Sequence, residues 1–220
     1  MDSLPAMRPQ AMCFDFNGTL SDDETIMCEI FIELFAEHGK PLSAQEYFDE
    51  LAGYSDPEIV RMWLGRNHPD VDEVIQERIT RYRAAVADGS TVSESVRQAV
   101  RHAADHVPVA VVSGAARSEI EPVLAAAGLS DVLGIIVAAE DVENGKPEPD
   151  GYLRALALLD GGFAPADVLV FEDTEAGVAS AKTAGMRCIA VLGTLAPERL
   201  ARADDIVERL DLELMRRLLG

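Results

Sequence analysis

Two kinds of hydrophobic spacing run along the chain, and the change from one to the other divides it. Residues 11–16, "AMCFDF", form a short apolar run ending in a turn, which predicts a buried strand. Ser21 and Glu24 in "SDDE" then stand at capping-box spacing. Ile26, Met27, Ile30, Phe31, Leu34 and Phe35 follow at steps of three and four, one apolar helix face that ends near Gly39 and Pro41. Ser43 and Glu46 give a second capping box before "YFDEL". "DPEIVRMWL" predicts a helix with Asp56 as N-cap and Pro57 at the first helical position, where its missing N–H costs nothing. "DEVIQERITRYRAAV" continues the pattern through Val86, so residues 21–89 read as an all-helical module.

After Gly89 the period shortens. Strand-like runs occur at "VPVAVV" (107–112), "GIIVA" (134–138), "DVLVF" (167–171) and "CIAVL" (188–192). Helical segments lie near 93–105, 116–127, 150–160 and 175–184. Strands alternating with helices of this length predict a parallel sheet covered on both faces. Ligands of such sheets bind at the carboxyl ends of the strands, which makes the residues just after each strand the place to look.

Composition narrows the partners. The 220 residues carry 19 Lys and Arg against 39 Asp and Glu, a net charge of −20. That charge repels phosphodiester backbones and anionic membrane surfaces, so neither nucleic acid nor membrane is expected as a partner. An anionic small substrate would need local help from a lysine, helix N-termini or a metal ion. Cys13, Cys28 and Cys188 are far apart and lie in apolar runs, as expected of buried thiols in a reducing compartment. "MDSLPAMRPQ" lacks the basic and apolar regions of a signal peptide, and no apolar run approaches the roughly 20 residues that span a bilayer. A cytoplasmic location is expected.

The predicted strand ends carry the chemistry. Asp15, Asn17 and Thr19 follow the first, Ser113 and Gly114 the second, Lys146 the third, and Glu172, Asp173 and Thr174 the fourth. Singly, each has a plain reading as a turn, cap or solvated loop residue. Together they suit phosphoryl transfer through an aspartyl intermediate, in which a carboxylate nucleophile needs neighbouring positive charge to approach an anionic phosphate. Lys146 supplies one charge. Asp15, Asp173 and Glu172 offer oxygen ligands of the kind that suit Mg²⁺. Ser113, with backbone N–H groups around Gly18 and Gly114, is placed to hold phosphate oxygens.

"FDFNGTL", "VVSGA", "GKPEPDGY" and "FEDTEAGVASAKTAGM" resemble, in order, the signatures of the haloacid dehalogenase superfamily, and within it those of the β-phosphoglucomutase-like phosphatases. The resemblance implies an α/β fold with a Rossmann-like core, formed by residues 1–20 and 90–220, and a helical cap, residues 21–89, that closes over the site. It implies a Mg²⁺-dependent hydrolase acting on a small phosphorylated metabolite. Asp15 matches the nucleophile, Ser113 the phosphate-binding hydroxyl and Lys146 the lysine that orients both. Asp173 matches the magnesium ligand with Glu172 as its helper, and Thr19 matches the threonine that supports the loop. "AGYS" (52–55) resembles the cap's substrate-contacting loop, which makes Gly53, Tyr54 and Ser55 specificity candidates; an ordinary helix–helix turn is the other reading.

The chain departs from the pattern at Asn17, where the family has its acid–base aspartate. An amide neither gives nor takes a proton at neutral pH, and general acid–base catalysis is worth roughly 10²–10⁴-fold. The family uses this residue's backbone carbonyl as a metal ligand, which asparagine keeps. Three readings stay open: hydrolysis of phosphates whose leaving groups need no proton, binding of phosphorylated ligands without turnover, or an engineered substitution in an active phosphatase or phosphomutase. A dehalogenase is a fourth alternative, since halide leaves without a proton, but Glu172, Asp173 and Lys146 form the metal-dependent set. His102 and His106, four apart on a helix, are expected on a solvated face, and Trp63 in the cap core.

Overall fold

The computed structural model describes residues 8–220; most of the stretch read for a leader, residues 1–7, lies outside them. Six parallel strands form one sheet in the order β3-β2-β1-β4-β5-β6. They are β1 (Ala11–Phe14), β2 (Val109–Val112), β3 (Ile136–Val137), β4 (Val168–Glu172), β5 (Arg187–Val191) and β6 (Asp205–Val207). The apolar runs are continuous because both faces are covered. Met12 and Phe14 point into one core with Val109, Val111, Leu169 and Phe171. Ala11 and Cys13 point into the other with Ala110, Val112, Val168 and Val170. Phe14 pairs in register with Phe171, and their rings stack at 5.3 Å. This pairing sets the ends of β1 and β4 side by side, and with them Asp15 and Glu172.

Between β1 and β2 lie α1 (Glu24–Glu37), α2 (Ala44–Glu46), a single π-helical turn (Tyr47–Leu51), α3 (Asp56–Leu64), α4 (Val71–Ala85) and α5 (Glu94–Ala104). α4 packs on both α1 and α3 to form a helical cap, and the apolar face of α1 joins the Met12–Phe14 core. The predicted face is buried at Met27, Ile30, Phe31, Leu34 and Phe35. Trp63 is half-buried and stacks on Phe35 at 6.3 Å. α6 (Arg117–Ala126), α7 (Asp150–Leu158), α8 (Glu175–Thr183) and α9 (Leu212–Leu219) complete the core. The three cysteines are free and buried. Among the described residues no helix is long and apolar enough to cross a membrane.

Several local expectations are corrected. The Ser43–Glu46 capping box forms, but the one at Ser21–Glu24 does not. Ser21 instead donates to Thr91 at 2.8 Å, and α1 starts after Asp23 without a side-chain cap. Ser55, not Asp56, is the N-cap residue of α3: its backbone is extended, Asp56 is already helical, and the Asp56 carboxylate pairs with Arg78. The third strand is two residues long rather than five. β6 and α9 are not among the elements that the sequence pattern predicts. β6 is a three-residue edge strand with no fully buried position, too short to show a period. α9 buries Leu214, Met215, Leu218 and Leu219, a helical spacing that packs on α5.

Candidate active site

Asp15 follows β1 directly, and its backbone N–H donates to the carbonyl of Phe171 at 3.0 Å. Glu172 ends β4, Asp173 follows it, and Lys146 comes from the loop after β3. The lysine Nζ donates to Asp15 Oδ1, lies 2.5 Å from Glu172 Oε1 and reaches the Val112 carbonyl at 3.2 Å. One cation from a distant loop therefore ties two adjacent strand ends together. Glu172 is fully buried and accepts a further hydrogen bond from the Tyr152 hydroxyl at 2.7 Å. Asp173 accepts from Thr19 at 3.2 Å and from the Thr194 hydroxyl. Thr19 thus braces the β1 loop against the β4 loop.

The loop geometry depends on Gly18. Its φ is +75°, and a Cβ there would lie 1.9 Å from Asp173 Oδ2. Any side chain would push the carboxylate away. α8 begins just beyond, capped by Thr174, whose hydroxyl accepts from Gly177 N at 3.1 Å.

Three buried carboxylates against one lysine leave surplus negative charge. Burial raises the Asp15 carboxyl to about 7, with the Lys146 charge opposing and Glu172 adding to the rise. Burial, then the charges of Asp15 and Glu172, pushes Asp173 well above the carboxylate range. Lys146 is raised: burial works against its charge, but Asp15 and Glu172 outweigh it. Oxygen atoms of Asp15, Glu172 and Asp173 come within 4.8 Å of one another, so the set could hold a cation. An all-oxygen cluster with uncompensated charge fits a hard divalent ion such as Mg²⁺. A second group with ligand spacing, His38, His68 and Asp70, is half-buried in the cap. His102 is half-buried and His106 exposed, their rings 4.3 Å apart.

A cavity opens above Asp15. Asn17, Ser113, Gly114 and Lys146 line it from the core, and Gly53, Tyr54 and Ser55 from the cap. The predicted residues of both parts are therefore brought together. Gly53 has φ +91°, and a Cβ there would meet Thr174 at 2.8 Å, so the cap loop sits directly on the start of α8. Ser113 accepts a hydrogen bond from Ala115 N at 3.0 Å and keeps its hydroxyl on the cavity wall. A wider opening of about 400 Å³ adjoins it, sharing Ser55, Ser113, Gly114 and Lys146. The amide of Asn17 donates to Asp23 Oδ2 at 3.1 Å and to the Tyr82 hydroxyl at 3.2 Å.

Sequence reasoning missed much of the cap wall: Glu24, Tyr47, Asp56 and Arg78. Arg78 is 1 % exposed and forms ion pairs with Asp56 of α3 and Glu119 of α6, bridging cap and core. A signal existed for it. Val71, Val74, Arg78 and Tyr82 form the buried stripe of α4, and an arginine on an apolar stripe needs buried partners. Glu119 is raised to about 7 by burial, against the pull of Arg78.

The profile of the haloacid dehalogenase-like hydrolases matches residues 12–191. Validoxylamine A 7'-phosphate phosphatase of Streptomyces hygroscopicus subsp. limoneus is 31% identical over 202 residues, covering 90% of this chain and 92% of its own length. Protein CbbY of Rhodobacter capsulatus is 31% identical over 214 residues, 90% of each chain. The crystal structure of CbbY from Rhodobacter sphaeroides in complex with phosphate superposes with a TM-score of 0.80 at 26% identity, over 92% of this chain and 95% of that one. The chain belongs to the haloacid dehalogenase-like hydrolase family, as a phosphatase-like member acting on phosphorylated substrates.

Proposed function

We propose that the protein is a Mg²⁺-dependent phosphatase of a small phosphorylated metabolite that works through an aspartyl-phosphate at Asp15. The observation that carries this reading is the lysine bridge: Lys146 holds Asp15 and Glu172 together beside Asp173, at the edge of a cavity that the cap covers. The relatives named for phosphate ester cleavage, and the neighbour that holds phosphate, support the same chemistry.

The residues divide the work. Asp15 presents a carboxylate oxygen to phosphorus, and its other contact, Lys146, fixes its direction and offsets its charge. The Ser113 hydroxyl and the amides of the Gly114 and Gly18 turns hold the phosphate oxygens. Asp15, Asp173 and the backbone carbonyl of Asn17 would hold Mg²⁺, with Glu172 as helper; Glu172 is already engaged by Lys146 and Tyr152. The bound ion would neutralise the carboxylates and the phosphate, which is what lets two anions meet. Residues 21–89 act as the cap, with Gly53, Tyr54 and Ser55 against the substrate. Closure shields the cavity from bulk water while the phosphoryl group moves to Asp15.

A second reading rests on Asn17. Its amide, which donates to Asp23 and Tyr82, gives no proton at neutral pH, and a protein without proton transfer would bind phosphorylated ligands and turn them over poorly. Steady-state hydrolysis of 4-nitrophenyl phosphate with Mg²⁺ separates the two. The phosphatase reading expects turnover in the native chain, lost by roughly three orders of magnitude or more in Asp15→Asn. No native turnover, with activity gained in Asn17→Asp, would establish the binding reading instead.

A further inference from the structure

The phosphatase reading leaves one chemical need unmet. An alkoxide leaving group must be protonated as Asp15 attacks, and the water that clears the aspartyl-phosphate must lose a proton. Asn17 does neither. The carboxyl groups around the cavity can be taken in turn. Asp15 is the nucleophile. Asp56 is paired with Arg78. Asp23 is 0 % exposed, does not line the cavity, and accepts from Asn17, Tyr82 and Gly18 N. Glu24 remains: it lines the same cavity as Asp15, and its one hydrogen bond is from a neutral donor, the Tyr47 hydroxyl, at 3.3 Å.

We propose that Glu24 is the general acid–base of this enzyme, a catalytic residue displaced seven positions along the chain from the asparagine that cannot serve. Its place follows from the local fold. Glu24 is the first residue of α1, lines the cavity, and accepts from the Tyr47 hydroxyl there. Tyr47, from the π-helical turn, is buried and holds the carboxyl in that direction.

The groups facing it keep it protonated. Burial is the largest cause, and the charges of Asp23 beside it and Asp15 at the end of β1 add to it, raising Glu24 to about 8. Tyr47 and Arg78 of α4 act the other way. Asp173 from the β4 loop senses the same charge, and Asp56 and Lys146 share the cavity wall. At neutral pH the carboxyl therefore carries a proton to give.

The cycle balances. An Asp15 oxygen forms a bond to phosphorus while the bond from phosphorus to the leaving oxygen breaks, and that oxygen takes the proton of Glu24. Water then attacks phosphorus and gives a proton to the Glu24 carboxylate. The bond to Asp15 breaks with its electron pair returning to the carboxylate. Inorganic phosphate leaves, and Glu24 is protonated again.

This inference rests on the phosphatase reading, and the test separates the two. The native chain, Glu24→Gln and Glu24→Gln/Asn17→Asp are compared with Mg²⁺ on glycerol 3-phosphate, whose alkoxide needs a proton, and on 4-nitrophenyl phosphate, whose phenolate does not. Peptide mapping of each sample confirms that Asn17 has not deamidated next to Gly18. In Glu24→Gln, kcat on glycerol 3-phosphate is expected to fall by roughly 10²–10⁴-fold. On 4-nitrophenyl phosphate the same variant should keep a burst of nitrophenolate stoichiometric with enzyme, followed by slow turnover as phosphorylated Asp15 accumulates. Asn17→Asp should restore the second step. A Glu24→Gln enzyme that keeps its alkyl-phosphate rate overturns the proposal and leaves the phosphatase reading intact. Loss of burst and turnover together also overturns it, as a structural effect. A native chain that cleaves neither compound overturns both.

Discussion

Two buried ionic clusters share one cavity, and they are built in different ways. At the sheet edge, Asp15, Glu172 and Asp173 surround Lys146. At the junction of cap and core, Asp56 and Glu119 surround Arg78. Backbone ladders position the first, since residues that end parallel neighbours in register must lie side by side. Helix packing positions the second, one member each from α3, α4 and α6. Both carry more carboxylates than cations, but relief comes from different sources. The junction can shed charge only by taking up a proton at a carboxyl such as Glu119. The sheet-edge cluster has a second route, a metal ion, and that route makes it a site rather than a strut.

Removing the cation from each cluster is the strongest way to break this comparison. Lys146→Met leaves the fully buried Glu172 without its counter-charge and should cost about 3–5 kcal/mol of stability, together with most of the activity. Denaturant titration should then show Mg²⁺ recovering part of the loss. If Mg²⁺ changes nothing, the cluster is not the ion's site.

Arg78→Met should cost about 3 kcal/mol at pH 8 and less at pH 6, because Glu119, raised to about 7 by burial, becomes neutral by protonation as the pH falls. Magnesium should give no rescue there. A loss independent of pH would show that Arg78 matters through packing rather than charge.

The smallest effect concerns Glu119 alone. Its folded pKa, about 7, lies above its ordinary 4.5, so the folded state binds its proton more tightly. Its contribution to stability is therefore complete below the ordinary value and is lost as the pH rises through 7, with a slope of at most about 1.4 kcal/mol per pH unit. Glu119→Gln should remove that slope from the difference between variant and native chain across this window. Parallel stability curves would place the Glu119 pKa near 4.5.

The same contrast explains what could be read from the sequence. The sheet-edge residues were legible because strand ends announce themselves: an apolar run stops, and a carboxylate, hydroxyl or glycine follows. Asp15, Ser113 and Asp173 are of this kind; Asp15 and Ser113 line one cavity with Lys146, and Asp173 lies beside Asp15. Beyond Gly53, Tyr54 and Ser55, the cap wall was not legible. In the sequence Glu24 reads as a capping residue and Asp56 as an N-cap, since polar residues at helix starts usually are. Arg78 carries no signal of its own within "QERITRYR" alone; the packing of α4 shows that it faces inward. β6 and α9 were lost for another reason: an edge strand of three residues carries no period, and the helix after it was never reached by the pattern.

The account stands on a covalent step at Asp15, and trapping that step tests it most directly. The native chain would be mixed with 4-nitrophenyl phosphate and Mg²⁺, quenched in acid within the first turnover, digested and mapped by mass spectrometry. The account predicts one added phosphoryl group on the peptide that contains Asp15, absent without Mg²⁺ and absent from Asp15→Asn. Steady release of nitrophenolate with no phosphorylated peptide, or with the phosphoryl group on another residue, would contradict it.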